Sequence, residues 1–86
     1  MLYFVINPKA KSNYGWFIWK KVEKELKKRA ISYQYYVTKR EKEAVVYARK
    51  LTQGKRKRKI VILGGDGTLN EFLNGMQRTE GIEIAY

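Results

Sequence analysis

The chain contains no cysteine and no histidine, and only one of its 86 residues is proline. Without cysteine and histidine it cannot form a disulfide scaffold, a zinc finger or a nucleophile activated by histidine. Acidic residues are also few: there are 8 against 19 basic residues, which gives a formal net charge of +11. This charge indicates an anionic partner, and nucleic acid, an acidic membrane leaflet and a nucleoside triphosphate all satisfy it.

Long hydrophobic runs are missing as well. The apolar start, residues 1–6, is too short to span a membrane and lacks the basic start and cleavage site of a signal peptide. We therefore expect an intracellular protein. A chain of 86 residues forms one small domain with a thin core, and its 44% hydrophobic and 14% aromatic content favours a folded domain over a disordered one.

The apolar patterning predicts strands that alternate with helices. Short apolar runs predict strands at residues 2–6, 33–37, 60–63 and 82–86, and residues 9–13 follow the first strand as a loop. Apolar steps of three or four residues predict helices at residues 14–29, from Thr38 to just before Gly54, and from about Leu69 to near Gly75. This β-α-β-α-β-α-β order predicts a three-layer α/β domain with a mainly parallel sheet.

Two of the predicted helices begin at a threonine with a glutamate three residues later, which is the spacing of a capping box. Thr38 and Glu41 have this spacing after the second strand, and Thr68 and Glu71 have it after the third. The first helix carries lysines away from its apolar stripe, and we expect that stripe to be formed by Trp16, Trp19, Val22, Leu26 and Ala30.

Three polar segments follow predicted strands and should meet at one rim of the sheet, because parallel strands end at the same edge. They are the loop that starts with Asn7 and Pro8, then Thr38, and the glycine turn of residues 64–68. A glycine turn between a strand and a helix can hold phosphate, since its backbone approaches the anion and helical N–H groups point at it. The turn matches neither a Walker A loop nor the dinucleotide fingerprint, whose third glycine is replaced by Asn70.

The densest basic run, residues 55–59, has the sequence Lys-Arg-Lys-Arg-Lys and lies between a predicted helix and a predicted strand. Its simplest interpretation is a solvated turn, and contact with a membrane or another polyanion is the alternative. A basic nucleic-acid-binding module that uses this run is a further alternative for the whole chain.

The string Gly64-Gly65-Asp66-Gly67-Thr68-x-Asn70-Glu71 resembles the nucleotide-binding signature of the diacylglycerol kinase catalytic domain, a family that includes bacterial lipid kinases and sphingosine and ceramide kinases. Ile6-Asn7-Pro8 resembles the family's opening Asn-Pro motif, and Thr38 falls where members place a phosphate-contacting threonine. The resemblance implies a Rossmann-like nucleotide-binding domain of the NAD kinase and diacylglycerol kinase type over residues 1–86. It covers the first part of the catalytic module, so we expect the β-rich lipid-binding domain to be absent.

The resemblance also implies roles for individual residues. Members transfer the γ-phosphoryl group of ATP to a lipid hydroxyl with Mg²⁺, and Asp66 would be catalytic, either through Mg²⁺ or by orienting the acceptor hydroxyl. Backbone N–H groups of the turn would hold the phosphates, and Lys9 or Lys11 would neutralise their charge. No metal ligand is assigned. The implied nucleotide-binding residues are Asn7, Lys9, Lys11, Thr38, Gly64, Gly65, Gly67, Thr68, Asn70 and Glu71.

The implied partners are ATP, a lipid substrate and an anionic membrane surface, and the implied location is the cytoplasm, at the inner face of the membrane. We expect the 86 residues alone to be inactive, and the free edge of a truncated sheet would allow a homo-oligomer. NAD kinases and phosphofructokinases carry related Gly-Gly-Asp-Gly turns, but the Thr-x-Asn-Glu continuation favours lipid kinases. Nucleic-acid binding is the less favoured interpretation.

Overall fold

The computed structural model describes residues 1–86, except for the side chains of Lys11 and Ser12. Four strands alternate with helices, as the apolar patterning predicts, and the loop after the first strand contains an additional short helix. The elements in chain order are β1 (Leu2–Ile6), α1 (Ala10–Asn13), α2 (Gly15–Lys28), β2 (Tyr33–Val37), α3 (Glu43–Thr52), β3 (Arg58–Leu63), α4 (Asp66–Gly75) and β4 (Ile82–Ala85).

The four strands form one parallel sheet in the order β2-β1-β3-β4. Ile6 at the end of β1 pairs with Val37 of β2 on one side and with Leu63 of β3 on the other. The chain leaves β1 toward β2 and leaves β3 toward β4, so connections from these two central strands run in opposite directions. Such a switch point opens a crevice at the carboxyl ends of the strands.

Helices cover both faces of the sheet because alternate residues of a strand point to opposite sides. On one face, Phe4 and Ile6 of β1 pack with Trp19 and Leu26 of α2. On the other face, a cluster joins β1 and β3 to helices α3 and α4; its buried members are Val5, Ala44, Ala48, Leu51, Ile60, Ile62 and Phe72. The predicted three-layer α/β fold with a parallel sheet is confirmed.

The predicted capping box at Thr38 is wrong. Helix α3 begins at Glu43, and its N-cap is Lys42, whose backbone is left-handed at φ 67°. Thr38 instead extends the pairing of β2 with β1: its backbone N–H donates to the Ile6 carbonyl at 2.8 Å, and its hydroxyl donates to the same oxygen at 3.3 Å. Thr38 therefore continues the strand pairing and lies too far before the start of α3 at Glu43 to cap that helix.

The capping box at Thr68 is wrong for a related reason. Helix α4 begins at Asp66, within the predicted glycine turn of residues 64–68, and Gly65 is its N-cap. The first backbone bond of the helix runs from the Leu69 N–H to the Gly65 carbonyl at 3.2 Å. Thr68 therefore lies inside the first helical turn and is buried there, at 8% exposure.

Helix α2 begins and ends on tight contacts. A side chain at Gly15 would overlap the Asn7 carbonyl oxygen, so glycine lets α2 start directly against the turn after β1. At the other end, Ala30 adopts a left-handed backbone at φ 54°, and the Ile31 N–H donates to the Leu26 carbonyl at 3.0 Å. This is a Schellman ending. It exposes Ala30, which the apolar spacing had placed in the buried stripe.

Candidate functional site

The three polar segments predicted to meet at the carboxyl rim do lie together there. The Asn7 N–H donates to the Leu63 carbonyl at 2.8 Å, which ties the loop after β1 to the end of β3. The Thr38 N–H donates to the Ile6 carbonyl at the same distance on the other side. Three neighbouring strand ends are therefore held in register, and the glycine turn starts from the third of them.

The side chain of Asn7 connects two of these segments. Its amide nitrogen donates to the Thr68 hydroxyl at 3.2 Å, and its amide oxygen accepts the Lys9 backbone N–H at 3.0 Å. Both ends of the amide are satisfied, which fixes its orientation between the first loop and α4. The Thr68 hydroxyl accepts from Asn7, so its own hydrogen is free to donate elsewhere.

A cavity of about 420 Å³ opens between these segments, within the size range of ligand pockets. Six of the residues that the family resemblance implies for nucleotide binding line it together with three others. The lining residues are Asn7, Lys9, Thr38, Lys39, Arg40, Glu41, Gly67, Thr68 and Glu71.

Positive charge dominates the mouth of this rim cavity. Among the side chains that the structure describes, the salt bridges are Lys20–Glu23 and Arg29–Glu25, so Lys9, Lys39 and Arg40 are all outside them. Glu41 also lines the cavity, and two other nearby carboxylates bind backbone: Glu71 accepts the Lys42 N–H at 3.2 Å, and Glu43 accepts the N–H groups of Lys39 and Arg40. These contacts position the segment after β2 and leave its cations for another anion.

The glycines of the turn have different reasons to be glycine. A Cβ at Gly64 would lie 2.7 Å from the Thr68 hydroxyl oxygen and 2.8 Å from its Cβ, so the fold itself requires glycine there. A Cβ at Gly65 or Gly67 would meet no atom within 4 Å, and neither backbone has a positive φ. Neither packing nor backbone conformation requires glycine at these two positions.

The first turn of α4 presents unused hydrogen-bond donors to this open space. In the part of the chain that the structure describes, no hydrogen bond engages the backbone N–H of Gly67 or Thr68. Donors at a helix start carry the positive end of the helix dipole and suit an anion. Gly67 and Thr68 both line the rim cavity, so these donors lie where the cations gather.

Asp66 and Asn70 lie on an exposed side of α4 and do not line the rim cavity. The Asp66 carboxylate accepts the hydroxyl of Tyr86 at 2.5 Å, and this hydrogen bond raises the pKa of Tyr86. Tyr86 and Gly64 also line a second, smaller cavity of about 210 Å³, whose other lining residues are Ala10, Gly15, Ile18, Ile62 and Leu63. The glycine turn thus separates two cavities.

Some of the predicted site residues line the rim cavity and others do not. Gly64, Gly65 and Asp66 belong to the turn and Asn70 follows it, but none of the four lines the rim cavity. The side chain of Lys11 lies outside the described part of the chain. Sequence reasoning missed Lys39, Arg40 and Glu41, which were assigned to a helix start. Their position directly after a predicted strand was the available signal. Nothing in the sequence pointed to Tyr86.

Two further observations concern the described residues. They contain no cluster of three or more acidic, cysteine or histidine side chains that could hold a metal ion. None of their helices is both long enough and apolar enough to cross a membrane.

Comparison with known proteins identifies the family of this chain. Residues 1–86 match the model of the family described as the diacylglycerol kinase catalytic domain. The chain is also 34% identical over 86 residues to a Bacillus subtilis (strain 168) protein named "Putative lipid kinase YtlR". That match covers 98% of this chain and 28% of the relative, so the chain spans little more than a quarter of the relative's length. This chain belongs to the diacylglycerol kinase catalytic domain family.

Proposed function

We propose that this chain is the ATP-binding portion of a lipid kinase that phosphorylates the hydroxyl of diacylglycerol or a related lipid. The observation that carries the proposal is the open space at Gly65 and Gly67. Glycine inside a helix is less stable than alanine by about 0.5–1 kcal/mol, so Gly67 weakens α4 without any packing benefit. A phosphate that approaches the backbone closely would explain why glycine occupies this position.

The residues around the rim cavity suit the polyphosphate of a nucleotide. The N–H groups of Gly67 and Thr68 would donate to phosphate oxygens, and the Thr68 hydroxyl, already oriented by Asn7, would donate a third bond. Lys9, Lys39 and Arg40 would neutralise the phosphate charge. Thr38 would contact phosphate only by releasing the bond of its hydroxyl to Ile6.

The carboxylates near the turn fit a role beside Mg²⁺, which neutralises charge that develops on the phosphates. Asp66 and Glu71 are the candidates, and each accepts one hydrogen bond, from Tyr86 and Lys42 respectively. Because the described residues hold no acidic cluster, phosphate oxygens and water would supply most magnesium ligands, as is usual for this ion. Asp66 would act through the ion or orient the lipid hydroxyl.

We also propose that the 86 residues bind nucleotide without phosphorylating lipid. The apolar cavity beside Asp66 measures about 210 Å³, which is below the 300–1,000 Å³ typical of ligand pockets. It is too small to hold a lipid acceptor against the reacting phosphate. Incubation with radiolabelled ATP-Mg²⁺ and diacylglycerol vesicles should leave the lipid unlabelled, and labelled lipid would contradict this statement.

Titration of the chain with ATP-Mg²⁺, followed by NMR, tests nucleotide binding. Amide signals of residues 64–70 should shift at millimolar nucleotide, and Lys9→Ala should weaken the apparent affinity about tenfold, as expected for a lost charge-assisted hydrogen bond. Lys55→Ala is the matched control, because it removes the same charge from an exposed residue outside the rim. The proposal fails if these amides do not move, or if both variants weaken binding equally.

A further inference from the structure

Large aromatic side chains are exposed where α2 begins. Tyr14 is 63% exposed, Trp16 is 41% exposed and Phe17 is 57% exposed. The apolar spacing had placed Trp16 in the buried stripe, but Trp19 takes the core position and Trp16 lies beside Lys20. Exposed aromatic residues that are adjacent in space mark an interaction surface more often than isolated ones do.

Lysines surround these aromatic residues. The ammonium group of Lys20 lies 5.8 Å from the centre of the Trp16 ring, and that of Lys21 lies 4.6 Å from the Phe17 ring. Further exposed lysines continue along α2. We refer to Tyr14, Trp16, Phe17, Lys20, Lys21, Lys24, Lys27 and Lys28 as the aromatic-lysine face.

The acidic residues of α2 pair with only one lysine of this face among the described side chains. Glu23 is buried and accepts hydrogen bonds from Lys20 at 2.8 Å and from the Tyr33 hydroxyl at 2.7 Å. Glu25 pairs with Arg29 at 2.8 Å. Four of the five lysines of the face therefore stand outside the salt bridges of the described side chains.

The aromatic end of the face adjoins the rim that carries the candidate site. Gly15 packs against the carbonyl of Asn7, and the Trp16 N–H donates to the Pro8 carbonyl at 3.3 Å. A surface that binds the aromatic residues is therefore brought next to the loop that lines the rim cavity.

We propose that the aromatic-lysine face docks on an anionic phospholipid surface and brings the rim of the sheet to the membrane. Tryptophan and phenylalanine fit the boundary between headgroups and acyl chains, where their apolar rings leave water. Lysines attract acidic headgroups at a gain that grows with each charge. A nucleic-acid duplex would match the lysines, but its bases are already stacked on one another and would offer the ring of Phe17 no apolar partner. The proposal deepens the proposed function, because it supplies the route to a lipid acceptor.

Cosedimentation with vesicles tests the docking surface. The chain should bind vesicles of phosphatidylglycerol and phosphatidylcholine in equal parts, and bind pure phosphatidylcholine at least about tenfold more weakly. Trp16→Ser with Phe17→Ser should lower binding to the anionic vesicles about tenfold or more, and so should Lys21→Glu with Lys24→Glu. All four positions are exposed, so circular dichroism should show an unchanged fold.

The matched control is Lys55→Glu with Lys57→Glu, which changes the net charge equally in the basic run of residues 55–59. It should lower vesicle binding less than about threefold, because these lysines precede β3, at the end of the sheet opposite to the rim that the aromatic residues adjoin. Equal losses in both charge variants, or unchanged binding in the aromatic variant, would overturn the proposal. So would an aromatic variant that loses affinity for a DNA duplex while its vesicle binding is intact.

Tryptophan fluorescence locates the contact. Trp19 is fully buried, so lipids brominated on their acyl chains should quench the exposed Trp16 in the bound protein. Trp16→Phe should retain vesicle binding and lose most of the quenching, and quenching that persists in this variant would contradict insertion of Trp16. Amide shifts with ATP-Mg²⁺ should survive in every surface variant, so a failure of docking is distinguishable from a failure of nucleotide binding.

Discussion

The side-chain amide of Asn7 donates a hydrogen bond to the Thr68 hydroxyl at 3.2 Å, across 61 positions of sequence. It links the loop after the first strand to the helix that follows the glycine turn. Thr68→Val should lower the free energy of unfolding by about 1 kcal/mol, the usual contribution of one hydrogen bond, and Asn7→Ala should lower it further because it also removes the bond from the Lys9 N–H. Because each variant removes the same bond, the double variant should lose less than the sum, as measured by urea denaturation. Additive losses would show that the bond contributes nothing to stability.

Gly67→Ala should stabilise the fold and abolish nucleotide binding. The added methyl group meets no atom within 4 Å, and alanine favours the helix, so the free energy of unfolding should rise by about 0.5–1 kcal/mol. The same methyl group occupies the space that we assign to a phosphate, so the amide shifts with ATP-Mg²⁺ should disappear. Asn74→Ala is the control: it improves the same helix at an exposed position outside the rim cavity and should leave nucleotide binding unchanged. A Gly67→Ala variant with normal ATP affinity would remove the main support for the phosphate site.

Ala30→Gly should stabilise the protein. Ala30 has a left-handed backbone at φ 54°, a conformation that is about 1 kcal/mol less favourable for an L-residue than for glycine. Relief of this strain should exceed the extra entropy that glycine adds to the unfolded chain, giving a higher midpoint of thermal unfolding. Ala48→Gly, in the buried centre of α3, should lower that midpoint. A lower midpoint in Ala30→Gly would contradict the Schellman ending of α2.

The contribution of Tyr33 to the free energy of unfolding should decrease in alkaline solution. Its hydroxyl donates to the Glu23 carboxylate, and this hydrogen bond raises the pKa of Tyr33 to about 12 from an ordinary value of 10.0. A raised folded-state pKa means that the neutral form is favoured in the native protein, so this stabilisation is complete below pH 10 and is lost as the pH rises toward 12. The difference in free energy of unfolding between the protein and Tyr33→Phe should therefore shrink across that interval. A difference that does not change with pH would refute the coupling.

Local patterns in the sequence predicted the strands well, because short apolar runs such as Val61 and Ile62 require burial on both faces of a sheet. Helix starts were predicted less well. Thr38 and Thr68 both precede a glutamate by three residues, yet both bond at the sheet rim instead of capping a helix. Their partners, Ile6 and Asn7, lie far away in sequence, and such contacts are invisible to a local pattern.

The candidate site, too, was only partly predictable from local sequence. Asn7 and Gly67 could be predicted to approach each other, because parallel strands end at one rim and the glycine turn follows one of them. The sequence pattern placed Lys39 and Arg40 in the first turn of a helix. They lie before α3 because the Glu43 carboxylate accepts their backbone N–H groups, a contact that the pattern does not show. Trp16 and Trp19 both fit the apolar spacing of α2, but only Trp19 is buried between α2 and the sheet. The spacing alone could not predict which of the two would be exposed.

The strand order determines when the sheet can assemble during synthesis on the ribosome. β1 pairs with β2, which the ribosome makes early, and with β3, which ends only at Leu63. A nascent chain released in order therefore holds β1 with one open edge until residues 58–63 have emerged. The rim cavity is completed later still, because Glu71, which lines it, must accept the backbone N–H of Lys42, which lies 29 residues earlier.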